Sequence, residues 1–312
     1  MKVAVIGLGD IAAKGYLPLL ATWPGLELLA HSRSESTVES HMQRYPFSRG
    51  TSSMEELIAW RPESAIVLTP SSTHFNVTQT LLRAGVDCYV EKPLTLSVEA
   101  SRQLAALAEA EARILMIGFN RRFAPLHQKV KRLWADRPIS FCMLEKHRPQ
   151  PRHSSLVSNY TDDAIHQIDL LRYWCGEATG LGTLYRMQDE KVVGTISQLL
   201  LDGGGLAVIA TSRLGGRWRE RYQLHGGGAS VYIDAFREVR WVDGDGVALY
   251  SAEDYGSWTS QLALRGFEGE LEHFFGCVRS RQPPLTSGQD SVKTQELLDQ
   301  LLELGRLAGE GV

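Results

Sequence analysis

The sequence predicts two α/β domains, the first built on a parallel sheet covered by helices on both faces and the second on an antiparallel sheet. Three observations carry this. Short apolar runs alternate with helical patterns over the first 120 residues. The first apolar run ends in the glycine turn Gly7-Leu8-Gly9. Beyond Asn120 the runs become β-type segments punctuated by Asp202-Gly203-Gly204-Gly205, Gly226-Gly227-Gly228 and Asp243-Gly244-Asp245-Gly246, turns that join antiparallel neighbours. The expected domains are residues 1–120 and 121–312, since 312 residues exceed what one core usually supports.

In the first domain the expected strands are Val3 to Ile6, Leu26 to His31, Ala65 to Thr69, Val86 to Val90 and Ile114 to Gly118. Between them Ser53, with Glu56 three residues on, fits a capping box, and Ser97 opens an alanine-rich helix from Val98 to Ala112. Gly15 and Pro18 interrupt the first helix and predict a kink or a late restart. In the second domain a helix near Pro125 to Trp134 leads to an extended segment, Ile139 to Lys146. Asp162 to Cys175 reads as a helix stopped by Gly176. Helices at about Leu262 to Arg279 and Ser291 to Leu307 close the chain.

Composition excludes several classes. Apolar residues at 43% and charged residues at 22% are ordinary globular values, and a net charge of -3 gives no reason to expect nucleic acid or an anionic membrane as partner. Cys88, Cys142, Cys175 and Cys277 lack the short paired spacings of a zinc site and read as free thiols in a reducing compartment. The apolar start is too short for a signal-peptide core, which points to a cytoplasmic protein, and no metal is expected.

The turn Gly7-Leu8-Gly9-Asp10-Ile11-Ala12 follows a strand and opens a helix, the context in which Gly-x-Gly-x-x-Ala receives a dinucleotide pyrophosphate on backbone amides. After the second strand comes His31-Ser32-Arg33-Ser34, with Glu35 displaced further along. An acidic residue there would accept from an NAD ribose. Arg33, flanked by the hydroxyls of Ser32 and Ser34, instead accommodates a 2′-phosphate, so NADP(H) is favoured over NAD(H). Ligands of open parallel sheets sit outside the strand carboxyl ends, so residues just past Ile6, Thr69 and Val90 face one crevice. Lys92, in Glu91-Lys92-Pro93, lies there, and Pro93 fixes the chain direction and admits a cis bond. A lysine near a nicotinamide polarises an alcohol oxygen or shares its proton.

Asp162 and His166 stand four apart on one helix and so share a face, which Asp169 extends, while Asp163 points elsewhere. Removing a hydroxyl proton as hydride leaves suits a histidine near neutral pH; a structural Asp-His pair is the competing reading. Arg121 and Arg122 follow the last strand of the first domain, and Lys146, His147 and Arg148 end the first strand of the second. These groups either bind substrate hydroxyls, a carboxylate or a phosphate, or form a salt-bridge network between the domains.

Together with Thr69-Pro70-Ser71-Ser72-Thr73-His74 and Gly118-Phe119-Asn120-Arg121-Arg122-Phe123, these segments resemble the glucose-fructose oxidoreductase / inositol dehydrogenase / MocA (Gfo/Idh/MocA) family over nearly the whole chain. Gly118 to Pro125, Lys146-His147-Arg148 and Asp162-Asp163 look most like its branch labelled virulence factor MviM. The resemblance implies a Rossmann domain followed by an α/β domain whose largely antiparallel, open-faced sheet forms a homodimer or homotetramer. It implies Lys92, Asp162 and His166 as catalytic trio, with His166 as acid/base, Asp162 near the reacting hydroxyl and Lys92 beside the nicotinamide. Thr69, Pro70, Ser71, His74, Glu91 and Asn120 would line the dinucleotide, with Arg122, Lys146 and Arg148 toward the substrate. Ala164 stands where the family commonly has glycine. The implied activity is NADP(H)-dependent interconversion of an alcohol and a ketone on a sugar, cyclitol or polyol. A dinucleotide-binding sensor and an NAD-dependent glycosidase are the alternatives.

Overall fold

A computed structural model describes residues 1–135 and 137–308. The chain divides into two compact units, one of Met1–Phe119 with Phe267–Lys293, the other of Asn120–Gly266 with Thr294–Val312. The second unit is therefore interrupted in sequence, whereas residues 121–312 were expected to run as one domain.

The first unit is a six-stranded parallel sheet. Its strands are β1 (Lys2–Ile6), β2 (Glu27–His31), β3 (Arg49–Thr51), β4 (Ser64–Val67), β5 (Asp87–Glu91) and β6 (Leu115–Gly118), in spatial order β3-β2-β1-β4-β5-β6. Helices on both faces leave Val3, Val5, Ile66, Val90 and Ile117 fully buried, as near-continuous apolar runs require. Ser34, Ser53 and Ser97 each cap a helix by accepting from the amide three residues on. The expected capping box at Ser53 forms only halfway: Glu56 turns its carboxylate to the Thr51 hydroxyl at 2.6 Å, and Thr51 also accepts from Ser53 N. At Gly15 and Pro18 the first helix widens into a π turn, Ala12–Tyr16, before an α-helical restart at Leu17–Leu20. Aromatic packing brings the helix Phe267–Ser280 back to this unit: Phe267 meets Tyr16, Phe274 meets Tyr89 and Phe275 meets Trp23, at centroid distances of 5.3–5.7 Å.

The second unit holds a nine-stranded sheet. Its strands are β7 (Phe141–His147), β8 (Ala178–Gln188), β9 (Lys191–Leu201), β10 (Leu206–Ser212), β11 (Arg219–Gly226), β12 (Ala229–Asp234), β13 (Glu238–Asp243), β14 (Gly246–Ser251) and β15 (Gly305–Leu307). The order is β14-β13-β12-β11-β7-β10-β9-β8-β15. The pairings are antiparallel except for β7 with β10 and β8 with β15. Residues 305–307 were expected to be helical and instead extend the sheet. The helices Pro125–Trp134 and Ile165–Cys175 cover one face, where His127 and Tyr222 both meet Trp174 edge-on. On β8, β9 and β10, Leu184, Ile196, Leu200 and Leu206 remain exposed. The helix expected from Asp162 is a π turn at Tyr160–Ala164 running into the α-helix Ile165–Cys175, which Gly176 ends at φ +86°. No helix among the described residues is long and apolar enough to cross a membrane.

Candidate active site

In the first unit the candidate residues collect at the carboxyl ends of β1, β2, β4 and β5. Gly7, at φ +93°, lies so close to the end of β4 that a Cβ would sit 2.7 Å from Leu68 C and Thr69 N. Only glycine fits. A Cβ at Gly9 would meet no atom within 4 Å, so that side of the turn is open, while the Gly7 amide is spent on His31 O at 3.0 Å. Leu8 is buried, while Asp10 pairs with Lys14 at 2.6 Å in solvent and Ile11 is exposed. The open side at Gly9 leaves room for a dinucleotide at this turn.

Past β2, Arg33 is exposed, Ser34 caps the following helix, and Ser32 Oγ accepts from Ser34 N at 3.4 Å. His31 is buried against Thr51 O at 3.0 Å, and burial lowers its pKa. Past β4, the helix Ser71–Arg83 starts from Pro70 without a side-chain cap.

His74 and Glu91 depart from the expected cofactor-lining role. His74 is buried, and its two ring nitrogens face Pro93 O and Thr69 O, each at 2.8 Å, so it ties the end of β4 to the end of β5 and leaves no ring nitrogen for a ligand. Glu91 Oε1 accepts from Tyr16 Oη at 2.7 Å and Oε2 accepts from Lys92 N at 2.8 Å. Burial, then the Glu270 and Glu91 carboxylates, raise the Tyr16 hydroxyl well above its ordinary pKa, which keeps it a donor. Glu91 and His74 thus brace Lys92-Pro93, whose peptide bond is cis.

In the second unit Asn120 is buried, donating to Arg265 O at 2.9 Å and accepting from Arg121 Nη1 at 3.3 Å. Arg122, expected to reach substrate, forms a bidentate pair with Asp169 at 2.9 and 2.6 Å, both side chains buried. Lys146 is buried between Asp163 at 2.9 Å and Glu220 at 3.5 Å. Arg148 donates to Asp163 Oδ1 at 2.7 Å and keeps 30% of its side chain in solvent. Of the two readings left open for these cations, the geometry of Arg122 and Lys146 is that of an ion-pair network. These pairs lie within the second unit.

Adjacent aspartates of the π turn point to different surroundings. Asp162 keeps 54% of its side chain exposed, 3.7 Å from Arg152 and His153, whereas Asp163 is 1% exposed and gathers Lys146, Arg148, His153 and Arg213. His166 is 9% exposed on the first turn of the following helix, and Ala164 is fully buried. Arg213, Glu220 and His153 were not singled out in the sequence. The available signal was the alternation of β11, which turns Glu220 to the same face as Tyr222 and Leu224 and so demands a buried counter-charge.

Residues 1–119 match a family described as "Oxidoreductase family, NAD-binding Rossmann fold". The chain is 28% identical to the protein YceM of Salmonella typhimurium, covering 96% of this chain and 97% of that one. It is 24% identical to the scyllo-inositol 2-dehydrogenase (NAD(+)) of Bacillus subtilis, over 95% and 92% of the two chains. The solved structure of the dehydrogenase MviM from Clostridium difficile superposes with a TM-score of 0.89 at 25% identity, over 97% and 99%. With a parallel sheet in the order found here, a family match over residues 1–119 and relatives matched along almost their full length, the chain is similar throughout to Gfo/Idh/MocA oxidoreductases.

Proposed function

We propose that the protein is an NADP(H)-dependent oxidoreductase that interconverts a secondary alcohol and a ketone on a sugar, cyclitol or related polyol. The carrying observation is Lys92 just past the carboxyl end of β5, in the sheet whose β1 turn is open on the Gly9 side, with its backbone braced by Glu91 and His74. A sheet that only stored a nucleotide has no use for a braced lysine. The polyol class draws on the scyllo-inositol dehydrogenase among the relatives.

The nicotinamide, when bound, accepts or donates the hydride. Lys92 polarises the reacting oxygen, His166 takes or returns the hydroxyl proton, and Asp162 holds the hydroxyl. Ser32, Arg33 and Ser34 receive the 2′-phosphate. That relative's name specifies NAD(+), and the exposed Arg33 past β2 is what favours the phosphorylated cofactor here. Thr69, Pro70 and Ser71 line the dinucleotide between the turn and Lys92. The exposed leucines of β8 to β10 support a homodimer or homotetramer formed through that sheet face.

The test is reduced-nicotinamide absorbance with a panel of sugars and cyclitols and both cofactors. Accumulating reduced cofactor with at least one polyol is expected. Turnover without accumulation would make the protein a glycosidase, and binding without turnover a sensor. With a substrate in hand, His166→Ala suppresses turnover and leaves cofactor affinity near wild type, and Lys92→Met slows the single-turnover step. Wild-type rates in either variant reject that residue's role.

A further inference from the structure

β7 and β10 pair in parallel, with Lys146 opposite Thr211 and His147 opposite Ser212. The residues that follow, Arg148 and Arg213, are therefore delivered to the same end of the sheet, where Arg148 N donates to Ser212 O at 2.8 Å. Their guanidinium groups and the Lys146 ammonium all converge on Asp163. Glu220 matches Lys146 and takes two donors from Arg121, at 2.9 and 2.6 Å. Arg152, at the exposed rim, and the buried His153 each stand 3.7 Å from Asp162. Among the described residues of this cluster, five cationic side chains face three carboxylates.

The imbalance is concentrated at Arg213. Its side chain is 1% exposed, yet Nη1 has no hydrogen-bond acceptor among the described residues. A buried guanidinium with an unmatched donor is costly, because desolvation is not repaid. Burial, with Arg148 and Arg152 nearby, pushes Arg213 down to about 10. Burial and then Arg213 push His153 down to about 4, so it is neutral at neutral pH. Arg148 keeps 30% of its side chain in solvent, so the cluster is not sealed on that side.

We propose that this cluster is an anion subsite, in which Arg213 and Arg148 seat a carboxylate or phosphate group of the substrate. The assignment rests on the oxidoreductase reading and narrows it to acidic or phosphorylated sugars and polyols. Two forked guanidinium groups match the paired oxygens of either group, and the added negative charge restores the balance. Asp162, at the rim, places the anion beside a member of the proposed catalytic trio.

The test is calorimetric titration of the full-length protein saturated with NADPH, which keeps phosphate away from Arg33. The probes are D-glucose, D-glucuronate, D-glucose 6-phosphate and inorganic phosphate. At least one anionic sugar should bind about tenfold or more tighter than glucose, with inorganic phosphate competing. Preference for glucuronate alone identifies a carboxylate, and preference for the phosphate ester alone identifies a phosphate. Arg148→Gln and Arg213→Lys should each remove most of that advantage. Arg148 is partly exposed, so its variant tests the site even where the Arg213 variant does not fold. No advantage over glucose, or one that survives substitution, overturns the assignment. Binding heat is read without turnover, so a retained anion preference in a protein that turns nothing over counts against the oxidoreductase reading alone.

Discussion

Replacing Asp163 by asparagine removes the charge at the centre of the buried cluster without changing its shape. Three cations lose their shared partner unequally. Lys146 retains Glu220 at 3.5 Å, and Arg148, 30% exposed, can turn into water. Arg213, 1% exposed, has no hydrogen-bond acceptor for Nη1 among the described residues and carries most of the loss. Breaking a buried pair on one side costs roughly 3–5 kcal/mol, and with two of three cations partly compensated the lower end, about 3 kcal/mol, is expected. Arg213→Met alone leaves Asp163 with Lys146 and Arg148 and should cost less. Adding it to Asp163→Asn should recover about 1 kcal/mol or more, which a double-mutant cycle reads as coupling. Hydrogen exchange at the β7 and β10 amides measures this locally, avoiding a two-state assumption for a two-unit chain. A loss below about 1 kcal/mol for Asp163→Asn, or additive behaviour in the cycle, would refute the account of a charge-dependent hub.

Arg33→Asp should weaken NADP(H) about tenfold or more while changing NAD(H) little, as read by fluorescence titration; equal effects remove the specificity argument. Gly7→Ala places a methyl against the backbone of Leu68 and Thr69 at a positive φ, so NADPH affinity and stability should fall together, the latter by about 1–3 kcal/mol. Wild-type affinity in that variant would show that the turn does not hold the cofactor. Burial opposes ionisation of Glu220, but Arg121 and Lys146 overcome it and hold the carboxyl well below its usual range. A depressed carboxylate stabilises the fold above its unfolded pKa of about 4.3, and that contribution disappears as pH falls toward the folded value. Urea unfolding should therefore show a steeper acid loss for the wild type than for Glu220→Gln, which is less stable at pH 7; parallel slopes would assign the acid sensitivity to other groups.

What was legible in the sequence was local. Five of the six strands of the first sheet announce themselves as apolar runs, and Ser53 and Ser97 cap their helices because a serine hydroxyl needs only the amide three residues on. Arg49-Gly50-Thr51 escaped because a three-residue edge strand has no alternation to read. Neither π turn was legible, since the pattern that separates a π turn from an α turn differs by one residue in the hydrogen-bond ladder. The return of Phe267–Ser280 to the first unit depends on aromatic contacts with Tyr16, Trp23 and Tyr89, which carry no signature in its own amphipathic pattern. At the site, Lys92 and Gly7 were visible from their flanking motifs. Asp163 was separated from Asp162 by direction alone, and its partners Arg148 and Arg213 follow strands whose pairing no short segment encodes.

Strand direction accounts for that difference. In the parallel sheet β1, β4 and β5 are consecutive neighbours, so Gly7, Thr69 and Lys92 emerge at one edge simply by following their strands. In the second sheet most neighbours are antiparallel, and the carboxyl end of one strand lies beside the amino end of the next. Arg148 and Arg213 escape this because β7 and β10 run the same way. β11, antiparallel on the other side of β7, sets Glu220 opposite Lys146 in the same register. A slip of one residue in β7 would turn Lys146 to the opposite face and leave both Glu220 and Asp163 short of a counter-charge. Register is thus fixed by the buried charges as much as by the apolar pattern, and the surplus at Arg213 persists because the pairing that creates it also holds the sheet together.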